Sequence, residues 1–264
     1  MNIEALINLK QYPLNDLTTT TAQKLIARCQ AELQTTGKCS LSDFLRPEVV
    51  PTLAAEVKSA LKESYVQLIE HNVYFKKDDA SLPDDHPARQ RITTRQKALA
   101  YDRIPVDAGI RAIYNWQPLR DFIAQVVGHK TLYLHEDPMA PLNIMMLAEG
   151  DQLGWHYDRA DFVTTLLLQA PEVGGRFEYV PHLRTADNEN YAGLSQLLDD
   201  THPDKISLAG QAGTLTLFQG IYSPHRVTQV QGATPRINSI LSYTLEPGVV
   251  FSESARMQFY GRAK

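Results

Sequence analysis

Apolar positions near the start of the chain recur at helical spacing. Four apolar side chains, Leu25, Ile26, Cys29 and Leu33, fall on one side of a helix, and the threonines before them can cap its first turn. Gly37 can end that helix in a left-handed conformation. The pattern therefore predicts an amphipathic helix that ends near residue 36.

The rest of the first half also favours helix. A second, longer helix is predicted from Pro47 to about Glu70, because proline suits a first helical turn and apolar residues continue along one side. Residues 73–75 are typical of a strand. The polar stretch 76–95 is interpreted as a solvated surface loop, with a lid over an active site as the alternative. With a further helical region over 106–127, residues 1–130 are expected to be mostly helical.

From residue 131 the pattern changes to short β-rich runs divided by turn residues. The predicted strands cover residues 131–134, 142–147, 162–168, 176–180, 213–218, 226–230 and 237–243. Residues 187–204 break this rhythm and are expected to form an inserted, helix-containing loop. We therefore expect one domain over 1–264, of the α+β class with a mainly β core. Its core, residues 131–250, is predicted to be a double-sheet jelly roll with the N-terminal helices packed on one sheet.

Composition excludes several classes of partner. The net charge of −4 gives no electrostatic reason to expect nucleic acid or an anionic membrane as a partner. No run approaches 18 apolar residues, and no secretory signal is visible at the start. The two cysteines cannot form a disulfide framework, which is typical of a reducing compartment. We expect a cytoplasmic protein.

Candidate chemistry lies in the β-rich half. His156 and Asp158 are two residues apart, so on an extended strand both side chains point to one face. His225 follows a later predicted strand and can supply a third ligand. Two histidines and one carboxylate form the facial set that binds non-haem Fe(II) and leaves three positions open. Chance placement is the alternative for any one of these residues, but it fits the whole set poorly.

Arg236 lies eleven residues after the second histidine and follows a turn. Its guanidinium can form a bidentate pair with a carboxylate deep in a pocket, such as the distal carboxylate of a 2-oxo acid. The alternative is a surface arginine. The apolar Ile237, Ile240 and Leu241 that follow favour a buried strand instead.

The span His156-x-Asp158, His225 and Arg236 resembles the Fe(II)/2-oxoglutarate-dependent dioxygenases. The resemblance covers roughly residues 131–247 and implies a double-stranded β-helix, or cupin-like, core. It implies Fe(II) on the two histidines and the aspartate, 2-oxoglutarate on the arginine, and O₂ as the oxidant. The implied reaction couples conversion of 2-oxoglutarate into succinate and CO₂ to hydroxylation of an unactivated C–H bond.

The flanking sequence is similar to a bacterial branch of free-amino-acid hydroxylases and radical halogenases that chlorinate lysine and similar amino acids. The segments that carry this similarity are residues 155–158, 166–171, 174–179 and 213–215. The halogenases have glycine where this chain has Asp158, so the resemblance implies hydroxylation rather than halogenation. They also have a histidine at the position of Leu153, so their lysine pocket is not carried over.

The expected substrate is a small molecule, namely a free amino acid such as lysine. Glu136, Arg159 and Asp161 are candidates for binding it, because their charges suit a zwitterion. A surface charge is the alternative for each.

Two other functions stay open at this point. A protein or peptide hydroxylase could use the polar stretch 76–95 to bind its substrate. A non-catalytic β-sandwich binding protein would need the metal ligands to be incidental or to hold a structural metal. Nucleic-acid demethylases of the same superfamily carry a second arginine six residues after the first, where this chain has Ser242, so a nucleic-acid substrate is not expected.

Overall fold

Two antiparallel β-sheets face each other in the computed structural model, which describes residues 2–264. The strands are β1 (Lys38–Leu41), β2 (Tyr65–His71), β3 (Ile92–Leu99), β4 (Tyr133–Leu134), β5 (Leu142–Leu147), β6 (Leu153–His156), β7 (Val163–Gln169), β8 (Val173–Gly174), β9 (Phe177–Tyr179), β10 (Ile206–Leu208), β11 (Leu215–Phe218), β12 (His225–Val227), β13 (Val230–Gln231), β14 (Arg236–Leu241) and β15 (Tyr243–Thr244). The major sheet has the order β1-β11-β7-β14-β5-β3-β2, and the minor sheet has the order β10-β9-β12-β6. Two short pairs, β13-β8 and β15-β4, lie outside them.

Six α-helices accompany the sheets in the described part of the chain. They are α1 (Thr20–Thr36), α2 (Val50–Lys58), α3 (Gly109–Asn115), α4 (Gln117–Val126), α5 (Tyr191–Leu198) and α6 (Glu253–Tyr260). Short 3₁₀ turns cover Ile3–Ala5, Pro47–Val49, Leu61–Glu63, Pro87–Arg89 and Tyr101–Arg103. None of the helices in residues 2–264 is long and apolar enough to span a bilayer.

Alternation along the strands separates the apolar core from a cavity. In β14, Ile237 and Leu241 are buried on the outer side of the major sheet, whereas Arg236 and Asn238 line the cavity between the sheets. The outer side is covered by α1, α2 and α4, whose apolar faces join the same hydrophobic cluster. The predicted α+β class, with a jelly-roll core and N-terminal helices on one sheet, is confirmed.

The predicted helix from residue 47 to about 70 is wrong. The helix α2 ends at Lys58, and residues 65–71 form strand β2, which pairs with β3 in antiparallel register. Along β2, Gln67 and His71 are buried while Val66 and Leu68 are exposed. This period of two is the strand signal, and pairing with β3 overrides the apolar spacing that suggested a helix.

The predicted strand at 73–75 is a turn. The Asn72 side chain accepts hydrogen bonds from the backbone N–H groups of Tyr74 and Lys76, and Phe75 has a φ of 50°. A polar side chain that caps the local backbone in this way competes with strand pairing. The polar stretch after it is also shorter than predicted, because β3 begins at Ile92.

The predicted helix over 106–127 is divided into α3 and α4. Pro118 lies in the first turn of α4, where its missing N–H costs nothing. Inside a continuous helix it would clash with the backbone four residues earlier, so a second helix begins instead. Residues 1–130 therefore supply α1 to α4 and also three strands of the major sheet. The insertion predicted at 187–204 contains α5.

A buried carboxylate fixes α6 at one end of the cavity. Asp137 accepts hydrogen bonds from the backbone N–H groups of Met139 and Phe251, and from the Arg256 guanidinium at 2.8 Å. Its side chain is fully buried. Phe259 and Tyr260 of α6 line the cavity. This anchor therefore closes the cavity with the C-terminal helix.

The anchor gives a testable pH dependence. Despite the burial that raises it, the pKa of Asp137 is held below its ordinary value by the backbone N–H donors and by Arg256. A lowered folded-state pKa means that the stabilisation is complete above the unfolded value of about 3.9 and is lost as the pH falls below it. We expect Asp137→Asn to lower the free energy of unfolding by about 3 kcal/mol at pH 7. Chemical denaturation should show this difference shrinking below about pH 4, and a difference that is constant down to pH 3 would contradict the anchor.

Candidate metal centre

Strand pairing brings the two ligand histidines together. His156 is the last residue of β6, and His225 is the first residue of β12. The two strands pair in antiparallel register with these residues opposite each other, and their ring centroids are 4.1 Å apart. Asp158 follows β6 directly. His225 thus meets the His156–Asp158 pair, 67 or more residues earlier in the sequence, at one end of the minor sheet.

Backbone carbonyls fix the orientation of both rings. The Nδ1 atom of His156 lies 2.8 Å from the Gly154 carbonyl, and that of His225 lies 3.1 Å from the Ser223 carbonyl. Each Nδ1 must therefore carry its proton and donate it. Both Nε2 atoms are left with a free lone pair, which is the arrangement that metal-binding histidines adopt.

The aspartate faces both free nitrogens without bonding to either. Asp158 Oδ1 lies 3.8 Å from His156 Nε2, and Oδ2 lies 3.6 Å from His225 Nε2. One ligand atom from each residue lies within 4.8 Å of the other two. The buried Oδ2 atom has no hydrogen-bond partner in residues 2–264. Buried polar atoms are almost always paired, so this set of donors fits a cation placed among the three side chains.

The electrostatics of the site also fit a cation. Burial, helped by the neighbouring His225, lowers the pKa of His156 to about 3, and burial lowers the pKa of His225 to about 4. Both imidazoles are therefore neutral, as metal ligation requires. Burial raises the pKa of Asp158. A divalent cation would reverse that penalty and favour the carboxylate.

A glycine allows the ligands to approach each other. A Cβ atom on Gly220 would lie 1.9 Å from Asp158 Oδ2 and 2.7 Å from His225 Cε1. Its carbonyl also accepts the Asp158 backbone N–H at 3.1 Å. From the sequence, Gln219-Gly220 is predicted only as a turn. The sequence pattern does not predict the close approach of Gly220 to Asp158 and His225.

Aromatic side chains surround the histidines. The ring of Phe75 is 5.4 Å from that of His156, and the rings of Phe218 and Phe177 are 4.7 Å and 5.7 Å from that of His225. Such a shell keeps water away from the ligands and lowers the local dielectric constant.

Arg236 is a second group without a partner. It lines the cavity at the first position of β14, and its buried Nε atom has no hydrogen-bond partner in the described chain. Burial lowers its pKa to about 10, which still leaves it charged at neutral pH. No carboxylate of residues 2–264 lies within ion-pair distance of it. The site therefore suits a carboxylate from a ligand.

The cavity between the sheets has a volume of about 570 Å³ and contains the three ligand side chains and Arg236. Two buried amides, Asn143 and Asn238, also line it, and the Oδ1 atom of each lacks a partner in the described residues. Sequence reasoning missed these two residues. They could have been predicted, because each is a polar residue that directly follows an apolar core residue in a strand and so lies on the face opposite the apolar core.

The structure separates the three candidates for substrate binding. Arg159 lines the cavity and donates a hydrogen bond to the Phe75 carbonyl. Glu136 is exposed and accepts the Gly248 backbone N–H, and Asp161 is exposed. Neither acidic residue lines the cavity. The segments after β4 and β6 therefore place Glu136 and Asp161 on the surface, and of the three candidates only Arg159 lies on the cavity wall.

Solved structures define the class of this fold. The non-haem α-ketoglutarate-dependent epimerase SnoN from nogalamycin biosynthesis matches at 14% identity over 84% of each chain, with a TM-score of 0.59. EctD from S. alaskensis matches at 19% identity over 83% of this chain and 75% of its own, with a TM-score of 0.53. A Pseudomonas putida prolyl-4-hydroxylase matches at 17% identity over 84% and 99%, with a TM-score of 0.51. The fold is that of the 2-oxoglutarate- and Fe(II)-dependent oxygenases.

Sequence comparison gives the family. Residues 21–250 match the family described as HalD, Halogenase D. No curated protein matches the chain significantly in sequence. Since the family match spans most of the chain, the protein belongs to the Halogenase D family.

The close approach at Gly220 can be tested directly. We expect Gly220→Ala to lower the affinity for Fe(II) by about 100-fold, because a methyl group would displace Asp158 and His225. Anaerobic titration against a competing chelator would measure this. Gly232→Ala is the control for strain away from the site: its φ of 86° makes alanine unfavourable in that turn, but nothing lies within 4 Å of the added carbon, so metal affinity should be unchanged. Equal affinities in the Gly220 variant and the parent would show that the ligands do not depend on this contact.

Proposed function

We propose that this protein is an Fe(II)- and 2-oxoglutarate-dependent oxygenase that hydroxylates an unactivated C–H bond of a small molecule. One observation carries the proposal. Two buried histidines and a half-buried aspartate, whose buried Oδ2 atom has no partner in the described residues, face the same cavity as an unpaired arginine. The first group fits a divalent cation, and the second fits the distal carboxylate of a 2-oxo acid.

Each residue has a defined task in this proposal. His156, Asp158 and His225 would hold the metal, and the carbonyls of Gly154 and Ser223 keep both imidazoles in the correct tautomer. Arg236 would orient 2-oxoglutarate through its distal carboxylate. Fe(II) bound there would supply the redox chemistry that couples O₂ to oxidative decarboxylation of 2-oxoglutarate. The aromatic shell would exclude water.

Hydroxylation is proposed although the family is described as Halogenase D. The halogenases that the sequence resembles have glycine in place of Asp158, which leaves room for a halide. In this chain the Asp158 carboxylate lies between the two imidazole Nε2 atoms, at 3.6 Å and 3.8 Å. A protein carboxylate in that position supports hydroxyl transfer, because no halide then shares the metal.

A free amino acid is the proposed kind of substrate. The cavity volume of about 570 Å³ is within the range of small-molecule sites. Lysine itself is disfavoured, because Asp158 is the only carboxylate on the cavity wall and an ε-ammonium would have no partner. The proposed substrates are therefore amino acids whose side chains are not cationic.

Two alternatives have weaker support. A structural neighbour from Trichoplax adhaerens is a prolyl hydroxylase in complex with a peptide, with a TM-score of 0.52 and 15% identity. This leaves peptide hydroxylation as the second candidate. A non-catalytic binding protein would need a structural metal to satisfy the unpaired Asp158 oxygen, and this cluster has three protein ligands where a closed structural site usually has four.

We also propose a reducing compartment such as the cytoplasm. Cys29 in α1 and Cys39 in β1 are both buried and both free. Two thiols on adjacent elements that stay unlinked support a location where disulfides do not accumulate.

The reaction type is tested with the Fe(II) protein, 2-oxoglutarate, O₂ and each free amino acid in chloride buffer. We expect succinate together with a product that gains one oxygen atom and no chlorine, detected by mass spectrometry. Asp158→Ala should abolish coupled succinate formation because the metal loses its carboxylate ligand. A chlorinated product from the parent would refute hydroxylation, and an Asp158→Ala variant as fast as the parent would refute the ligand assignment.

The role of Arg236 is tested separately. We expect Arg236→Ala to raise the dissociation constant for 2-oxoglutarate at least about 30-fold, because a buried charge-assisted pair is lost. Fe(II) affinity should change little, since the arginine is not a ligand. Arg236→Lys keeps the charge without the planar fork and should give an intermediate value. Anaerobic calorimetry measures the 2-oxoglutarate dissociation constant of the parent and of both variants. An unchanged dissociation constant in the alanine variant would show that Arg236 does not bind 2-oxoglutarate.

A further inference from the structure

The charged side chains of the cavity wall are mostly positive. Lys38, Arg159 and Arg236 line it, and the only carboxylate among the lining residues is Asp158. Under the proposed function, Asp158 binds the metal and Arg236 binds 2-oxoglutarate. Two cations then remain without an assigned partner.

Lys38 is the first of these cations. It begins the edge strand β1, which pairs with β11 so that Lys38 lies opposite Phe218. Cys39 and Leu41 are buried on the helix side of β1, so alternation directs Lys38 into the cavity. The ring of Phe218 is 4.7 Å from that of His225. Lys38 is therefore separated from the ligand His225 by the side chain of Phe218.

The ammonium of Lys38 lacks a negative partner. Within residues 2–264, Nζ of Lys38 donates one hydrogen bond, to the Ser40 hydroxyl at 2.6 Å. No carboxylate in residues 2–264 lies within ion-pair distance of it. Burial lowers the pKa of Lys38, although the more distant charge of Glu32 acts to raise it, because the ammonium has lost hydration without gaining a directly paired anion.

Arg159 is the second cation. It directly follows the ligand Asp158, and its guanidinium donates to the Phe75 carbonyl at 2.8 Å. Phe75 in turn packs edge-on against His156. Arg159 also has no carboxylate partner within residues 2–264. It is exposed at the cavity rim, where its positive charge faces an entering molecule.

We propose that Lys38 is the residue that binds the carboxylate of the substrate and so selects it, and that Arg159 assists at the rim. This inference rests on the proposed function and names the residues that determine its specificity. A carboxylate at Lys38 would restore a charge-assisted hydrogen bond that the protein itself does not provide. An ammonium without a carboxylate beside it would meet two cations and no available carboxylate, whereas the α-ammonium of an amino acid is accompanied by its own carboxylate. Any N–H group on the substrate would be bound instead by neutral acceptors such as the Oδ1 atoms of Asn143 and Asn238.

Three probes that share one skeleton test the inference: hexanoate, hexanamide and hexylamine. Each is titrated anaerobically by calorimetry into the protein loaded with Fe(II) and 2-oxoglutarate, and succinate formation is then measured in air. We expect hexanoate to bind about tenfold more tightly than hexanamide, and hexylamine to bind most weakly. Hexanoate should also stimulate succinate formation most strongly.

Variants assign the preference to Lys38. Lys38→Gln should weaken hexanoate binding about tenfold and leave hexanamide binding unchanged, and Lys38→Arg should restore most of the preference. Lys24→Gln is the matched control, because Lys24 is an exposed lysine on α1 that does not line the cavity. The dissociation constant for 2-oxoglutarate should stay the same in all three variants, and circular dichroism checks that each one is folded.

The outcomes separate the two proposals. If the parent does not bind 2-oxoglutarate, the proposed function fails and the substrate inference fails with it. If 2-oxoglutarate binds but hexanoate shows no advantage, or no probe binds, only the substrate inference is overturned. A Lys38→Gln variant that weakens 2-oxoglutarate instead of hexanoate would also overturn it, because Lys38 would then belong to the co-substrate site.

Discussion

The metal site depends on one half-buried carboxylate that the described residues leave without a full set of partners. Asp158 lies between two neutral imidazoles, and its Oδ2 atom has no hydrogen-bond partner in the described residues. Burial raises its pKa, so the site is unfavourable for a carboxylate until a cation arrives. Metal binding would therefore relieve an unfavourable arrangement in the folded protein. The hydrogen bonds of the His156 and His225 rings to backbone carbonyls hold both rings in the orientation that ligation requires.

Because side chains alternate along each strand, the major sheet has an apolar outer face and a cavity-lining inner face. Apolar residues such as Ile237 and Leu241 hold α1, α2 and α4 on the outer side of the major sheet. Their neighbours Arg236 and Asn238 face the inner cavity. The same strand thus supplies stability on one side and ligand contacts on the other. The unpaired inner polar groups lower the stability of the fold, and burial of apolar residues on the outer side offsets that cost.

Much of this arrangement follows from the sequence, for identifiable reasons. His156 and Asp158 share a face because they are two residues apart, and the turn before Arg236 places it at a strand start. The strand β2 was hidden because its apolar residues also fit helical spacing. Gly220 and Lys38 could not be found, because the first acts through a contact between distant loops and the second through pairing of an edge strand with β11. The local sequence pattern predicts which face of a strand a side chain occupies. Which residues it contacts depends on how distant strands pair in the folded protein.

Anaerobic equilibrium dialysis with Fe(II) measures whether His156, Asp158 and His225 form a metal site. We expect about one ion per chain in the parent, tighter retention when 2-oxoglutarate is present, and loss of binding in His225→Ala. Retention of the same amount of iron by parent and His225→Ala would contradict it. Absence of iron binding by the folded parent would contradict it equally.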